Sequence, residues 1–132
     1  MDGLVGNIVT CVERRIHQDE EVSVGAVSRE LGFTRQYVSG RFHRTTGNLL
    51  SHYLKERRLD KAARLLREKK MRVSQVSRLC GFDSENYFRQ QFKQKFGMSP
   101  RQFRAKGNLE VLQTTEFPEL AEMRLRIRKN RG

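Results

Sequence analysis

A block of this chain occurs twice, and the repeat leaves few folds open. Val27-Ser28-Arg29 and Gly32-Phe33 recur 49 residues later as Val76-Ser77-Arg78 and Gly81-Phe82. Tyr37, Phe42 and Gly47 recur 50 residues later as Tyr87, Phe92 and Gly97, so the second copy carries one extra residue between Phe82 and Tyr87. Each copy reads as a short helix, a glycine turn, a second helix and a glycine stop, which is the order of a helix-turn-helix.

The remaining chain fits around these copies. Leu4, Val5, Ile8, Val9, Val12 and Ile16 fall at three-and-four spacing and predict an amphipathic N-terminal helix. Val24, Val27 and Leu31 predict the next, capped by Ser23, and Thr34 caps a third whose inner stripe is Val38, Phe42 and Thr45. A long helix is expected from about Asn48 to Lys69. Its apolar positions change side midway. Leu49, Leu50, Tyr53 and Leu54 point one way, and Leu59, Ala62, Ala63, Leu65 and Leu66 roughly half a turn away, as in a linker serving two cores. In the second copy Ser84 caps a helix whose stripe is Phe88, Phe92 and Lys95 or Phe96, and Ser99-Pro100-Arg101-Gln102 reads as a capping box.

The expected architecture is therefore all-α, with about seven helices: two homeodomain-like helix-turn-helix subdomains over residues 1–47 and 71–106, joined by a long linker helix over 48–70. Residues 107–132, ending in alternating apolar and basic residues, are expected to be a flexible basic extension.

Charge narrows the partner. Residues 31–106 hold 19 Lys and Arg against five Asp and Glu, whereas the rest of the chain holds eight against ten. So concentrated a positive field calls for a polyanion. On the first repeat's second helix, the face opposite the apolar stripe carries Gln36, Ser39, Gly40 and His43. The corresponding face of the second copy carries Asn86, Arg89, Gln90 and Lys93, whose amide and guanidinium groups match adenine and guanine edges. The second copy is thus expected to contribute more direct base readout. Arg35 and Arg44 flank the first face, and with Arg41, Arg58, Lys95, Arg101 and Arg104 they make up the expected phosphate contacts.

The segment G-F-D-S-E-N-Y-F-R-Q-Q-F-K-Q-K-F-G-M-S-P-R-Q-F-R resembles the signature of AraC/XylS-type transcription regulators. The upstream G-F-T-R-Q-Y-V-S-G-R-F-H-R-T-T-G is similar to the first helix-turn-helix of the same domain. The likeness covers roughly residues 4–106 and, by length, points to the small stand-alone branch. It implies two readers joined by a long helix, bound as a monomer to promoter DNA and acting through RNA polymerase, usually as an activator. Position by position it implies Gln36, Ser39 and Gly40 as base contacts of the first reader and Glu85, Asn86, Arg89 and Gln90 as those of the second.

Other classes are less favoured. No nucleophile, base and orienter set, phosphate loop or metal-ligand spacing is present, so neither enzymatic activity, nor a cofactor, nor a metal is expected. A basic module that sequesters a protein partner, with weak or non-specific DNA binding, is the second reading; Gly40, which offers no side chain to a base, keeps it open. Cys11 and Cys80 fall at helix-interior positions and are expected as buried reduced thiols. Without a leader pattern or a membrane-length apolar run, a cytoplasmic, nucleoid-associated protein is expected.

Overall fold

The computed structural model describes residues 3–106, which form α1 (Gly3–His17), α2 (Val24–Leu31), α3 (Arg35–Thr46), α4 (Leu50–Glu68), α5 (Val73–Leu79), α6 (Glu85–Phe96) and α7 (Pro100–Lys106). Among the described residues there is no strand, as the all-α reading expects. Two compact units divide within α4, the first ending at Glu56 and the second beginning at Arg57. The expected extension at 107–132 lies outside the described residues.

The first unit is built on α1, whose Val5, Ile8, Val12 and Ile16 are buried with Val27 of α2 and Val38 and Phe42 of α3. Leu50, Tyr53 and Leu54, from the start of α4, complete this core. The Tyr53 ring stacks on Phe42 with centroids 5.4 Å apart. The second half of α4 turns its apolar residues elsewhere: Leu59, Ala62, Ala63, Leu65 and Leu66 belong to the core of the second unit. A single helix therefore supplies two cores, and the change of side in its sequence is the cause. Two expected core positions differ. Leu49 precedes α4 and is 60 % exposed, and Thr45 faces solvent while Thr46 turns inward and bonds the Phe42 carbonyl at 2.7 Å.

The second core is dominated by aromatic rings. Phe92 meets Phe96 at 4.5 Å, Phe103 of α7 at 5.4 Å and Phe88 at 5.7 Å. The ring of Phe82, from the preceding turn, lies 5.1 Å from Phe88. Tilted and edge-on ring pairs of this kind add to the burial of their area.

The two helix-turn-helix turns share one hydrogen-bond pattern. Phe33 N–H donates to the Ser28 carbonyl and Phe82 N–H to that of Ser77, both at 3.0 Å. Gly32 and Gly81 stand at φ 79° and 86°, a left-handed conformation that side chains with a Cβ resist. The extra residue makes the second turn longer. Phe82 reaches the core and is 5 % exposed, whereas Phe33 stays 45 % exposed and stacks on Tyr37 at 5.0 Å. Thr34 and Ser84 cap α3 and α6 through bonds from Tyr37 N–H and Tyr87 N–H, each 3.1 Å. The box at α7 is closed by Ser99 N–H to Gln102 Oε1 at 2.9 Å and Gln102 N–H to Ser99 Oγ at 3.2 Å.

Cys11 and Cys80 are buried free thiols, one in each core. Burial pushes the Cys11 thiol up and keeps it protonated. Close by, Glu30 accepts from Arg14 and, at 3.0 Å, from Arg15 Nε. The bond from Arg14 holds the Glu30 carboxyl below its ordinary range. A lowered folded-state pKa gives stability that is present above the unfolded value, about 4.3, and lost as pH falls through the lowered value. Glu30→Gln is therefore expected to be less stable than the parent protein at neutral pH, with the gap narrowing below about pH 4 in denaturant titrations run across pH. Because Glu30 lies at the surface, the gap is expected to be small.

Candidate nucleic-acid interface

The two turns fix which side of each following helix is left for a partner. Burying Val38 and Phe42 leaves α3 with Gln36 and His43 exposed and Ser39 and Gly40 half-buried on the outward side. Arg35, beside this face, folds back onto α2: a Cβ at Gly25 would stand 2.8 Å from its Nη2, so the bare glycine is the seat of the guanidinium. Arg41 lies over the Tyr37 ring at 5.7 Å and donates to its hydroxyl at 2.9 Å. That contact joins cation–π attraction to a hydrogen bond and steadies a half-buried arginine. Arg44 is exposed and lies against Gly40.

In the second unit the buried stripe is Phe88, Phe92 and Phe96, which resolves the choice between Lys95 and Phe96 in favour of the ring. Asn86, Gln90 and Lys93 are exposed outward. Glu85 and Arg89 stand with them, one turn apart, and are bonded to each other: Arg89 Nε and Nη2 donate to Glu85 Oε2 at 2.9 and 2.6 Å. The pair therefore presents both a donor fork and an acceptor at the start of α6. Beside it opens a cleft of about 370 Å³ whose lining includes Arg72, Ser74, Glu85, Arg89, Arg101 and Arg104. Four arginines against one carboxylate make this cleft electropositive, with Arg89 bonded to Glu85 and Arg104 to backbone carbonyls.

The expected phosphate contacts divide on inspection. Arg101 is exposed on α7, and Arg58, half-buried, lies along the second turn with Nε 3.6 Å from where a Gly81 Cβ would stand. Lys95 is different: its side chain is 3 % exposed and its Nζ lies 3.0 Å from Asp60 Oδ1. Its ammonium neutralises a carboxylate on α4 and is withdrawn from any ligand. Arg104 donates to the carbonyls of Leu66 at 3.2 Å, Lys69 at 3.5 Å and Met71. Leu66 lies in the last turn of α4 and Lys69 and Met71 just beyond it, so the guanidinium ties down the end of that helix while Arg104 also lines the cleft.

Arg72 escaped the sequence reading although it lines the cleft. Aligning the copies would have flagged it, because Arg72 occupies the place of Ser23, the cap of α2. Its N–H is met by Gln75 Oε1 at 3.0 Å instead. Among the described residues no group of three or more His, Cys, Asp and Glu converges to hold a metal, and no helix is long and apolar enough to cross a membrane.

A family profile described as a helix-turn-helix domain matches residues 27–106. Over 108 residues the chain is 27 % identical to the probable transcription factor PqrA of Proteus vulgaris, covering 82 % of this chain and 88 % of that protein. Over 72 residues, 54 % of this chain, it is 42 % identical to the HTH-type transcriptional activator RhaR of Pectobacterium atrosepticum, of which it spans only 25 %. Among solved structures, the DNA-binding domain of the global transcriptional factor AdpA, crystallised with a target DNA, superposes with a TM-score of 0.62. It is 28 % identical, and the match covers 80 % of this chain and 93 % of that one.

Proposed function

The chain belongs to the AraC-type helix-turn-helix family of transcription regulators, and from that membership we propose that it is a sequence-specific reader of double-stranded promoter DNA that activates transcription. The observation that carries this reading is the exposed polar face that the same turn geometry leaves on α3 and again on α6, in the most basic part of the chain. Phosphate attraction supplies affinity and the two faces supply sequence.

In this reading α3 and α6 enter successive major grooves, about 34 Å apart along B-DNA. The continuous helix α4, 19 residues and so about 28 Å long, suits a protein that engages both. Asn86 and Gln90 pair with adenine, Arg89 with guanine, Lys93 with an acceptor edge, and Glu85 accepts from cytosine while steadying Arg89. Gln36 and Ser39 read for α3. Arg35, Arg41, Arg58 and Arg101 contact phosphate, whereas Lys95 and Arg104 are left out because Asp60 and the carbonyls of α4 already engage them. RhaR is named an activator and AdpA was crystallised on its target DNA. The family resemblance further implies that the protein acts as a monomer on DNA and engages RNA polymerase.

The test is a genome-wide footprint of the purified protein, followed by competition of a recovered site against random duplex DNA. Specific affinity is expected to exceed non-specific affinity by at least about 10³. Arg89→Ala is expected to lose roughly 1–3 kcal/mol on the specific site and to relax one base pair, whereas Arg101→Ala weakens all sequences alike. Equal affinity for recovered and random duplexes, together with capture of a protein partner, would favour the sequestering module instead.

A further inference from the structure

Gly40 leaves a gap in the face with which α3 meets DNA, and the structure fills that gap from one turn away. At about 100° per residue, Gly40 is the position most nearly opposite the buried pair Val38 and Phe42. It is the centre of the outward face, yet it carries no donor or acceptor beyond its backbone. Its surface is nonetheless covered: Arg44 Nη1 lies 3.4 Å from where a Cβ of residue 40 would stand. Helical side chains lean toward the N-terminus, so a residue covers the turn that precedes it. The Arg44 chain lies back along the helix and holds its guanidinium against Gly40, at the middle of the face.

We infer that Arg44 is a specificity-determining residue of α3, reading a guanine in the major groove from the position that the missing side chain of Gly40 leaves open. The inference rests on the DNA-binding function proposed above and goes beyond it. Helical spacing puts Arg44 about 40° round the helix from Gly40, on the outward face itself; the contact with Gly40 brings its charged end to the centre of that face. A guanidinium offers two parallel N–H donors, which match guanine O6 and N7. The first reader thus gains the strongest single type of base contact, which neither Gln36 nor Ser39 can make. The glycine is what makes this possible, since a longer side chain at position 40 would occupy the same space.

The experiment is selection from a pool of randomised duplexes with the full chain and its Arg44→Ala, Arg44→Lys and Gly40→Leu variants, each first shown to keep the parental helical content. Arg44→Ala is expected to lose one G·C column from the selected motif and to bind the parental site about 5- to 100-fold more weakly, with affinity for random duplex little changed. Arg44→Lys keeps the charge without the fork and is expected to relax the same column. Gly40→Leu keeps the arginine but fills its seat, and the same column is expected to degrade with the salt dependence unchanged. An intact motif for Arg44→Ala, with uniform weakening and a salt slope lower by about one, overturns the inference and makes Arg44 a phosphate contact. Retention of the column by Gly40→Leu overturns it as well. If the parent protein itself selects no motif, the sequence-specific reading falls and this inference falls with it.

Discussion

Phe92→Ala is expected to unfold the second unit. The Phe92 side chain is fully buried and meets Phe88, Phe96 and Phe103. Removing such a ring leaves a cavity at the centre of the packing and costs about 3–5 kcal/mol. A unit of this size has little to lose, because small cores bury too small a fraction of their surface to be more than marginally stable. Amide exchange is the measurement. Amides of residues 73–106 should lose protection, whereas those around the Phe42–Tyr53 stack, which belongs to the other core, should keep it. The variant should also lose the base preferences assigned to α6. A cost below about 1 kcal/mol would mean that the aromatic cluster is looser than its ring distances indicate.

Salt is expected to act on binding more strongly than any single substitution. The 19 basic residues of the segment 31–106 face only five acidic ones, and each phosphate they neutralise releases counterions. Between 50 and 200 mM salt, about six phosphate contacts correspond to a loss on the order of 10³ in affinity. The slope of log affinity against log salt reports that number directly. Arg101→Ala and Arg58→Ala should each reduce the slope by about one, whereas Lys95→Ala should leave it unchanged, because Lys95 is already paired with Asp60. The slope thus separates basic residues that meet DNA from those that hold the fold. Lys95→Ala should instead modestly destabilise the second unit, since it removes the buried lysine's bond to Asp60 and leaves Asp60 to its ion pair with Arg57.

Much of the architecture was legible because its signals are local. Ser23, Thr34, Ser84 and Ser99 each cap the helix that their position announces, and the shift of apolar side within α4 corresponds to its division between two cores. What escaped concerns where long side chains end. Lys95 and Arg104 look like surface charges in the sequence, yet each has a partner about 35 residues away in the chain, Asp60 in one case and the carbonyls at the end of α4 in the other. The four or five bonds between backbone and charge let the ends of such residues depart from the face their Cα occupies. Arg44 shows the same freedom, its guanidinium lying back over Gly40 one turn earlier. Phe33 and Phe82 occupy equivalent places in the repeat but differ in burial, because Asp83 lengthens the second turn. A pattern of residue types carries the period of a helix; it does not carry the reach of an arginine or the slack in a loop.

The central claim is that α3 and α6 both read DNA, and a hydroxyl-radical footprint on a selected duplex tests it most directly. Two protected tracts on one face of the duplex, centred about 10–10.5 base pairs apart, are the predicted result, with the tract assigned to α6 alone disappearing in Phe92→Ala. A single tract, or protection spread evenly along the duplex, would contradict the account.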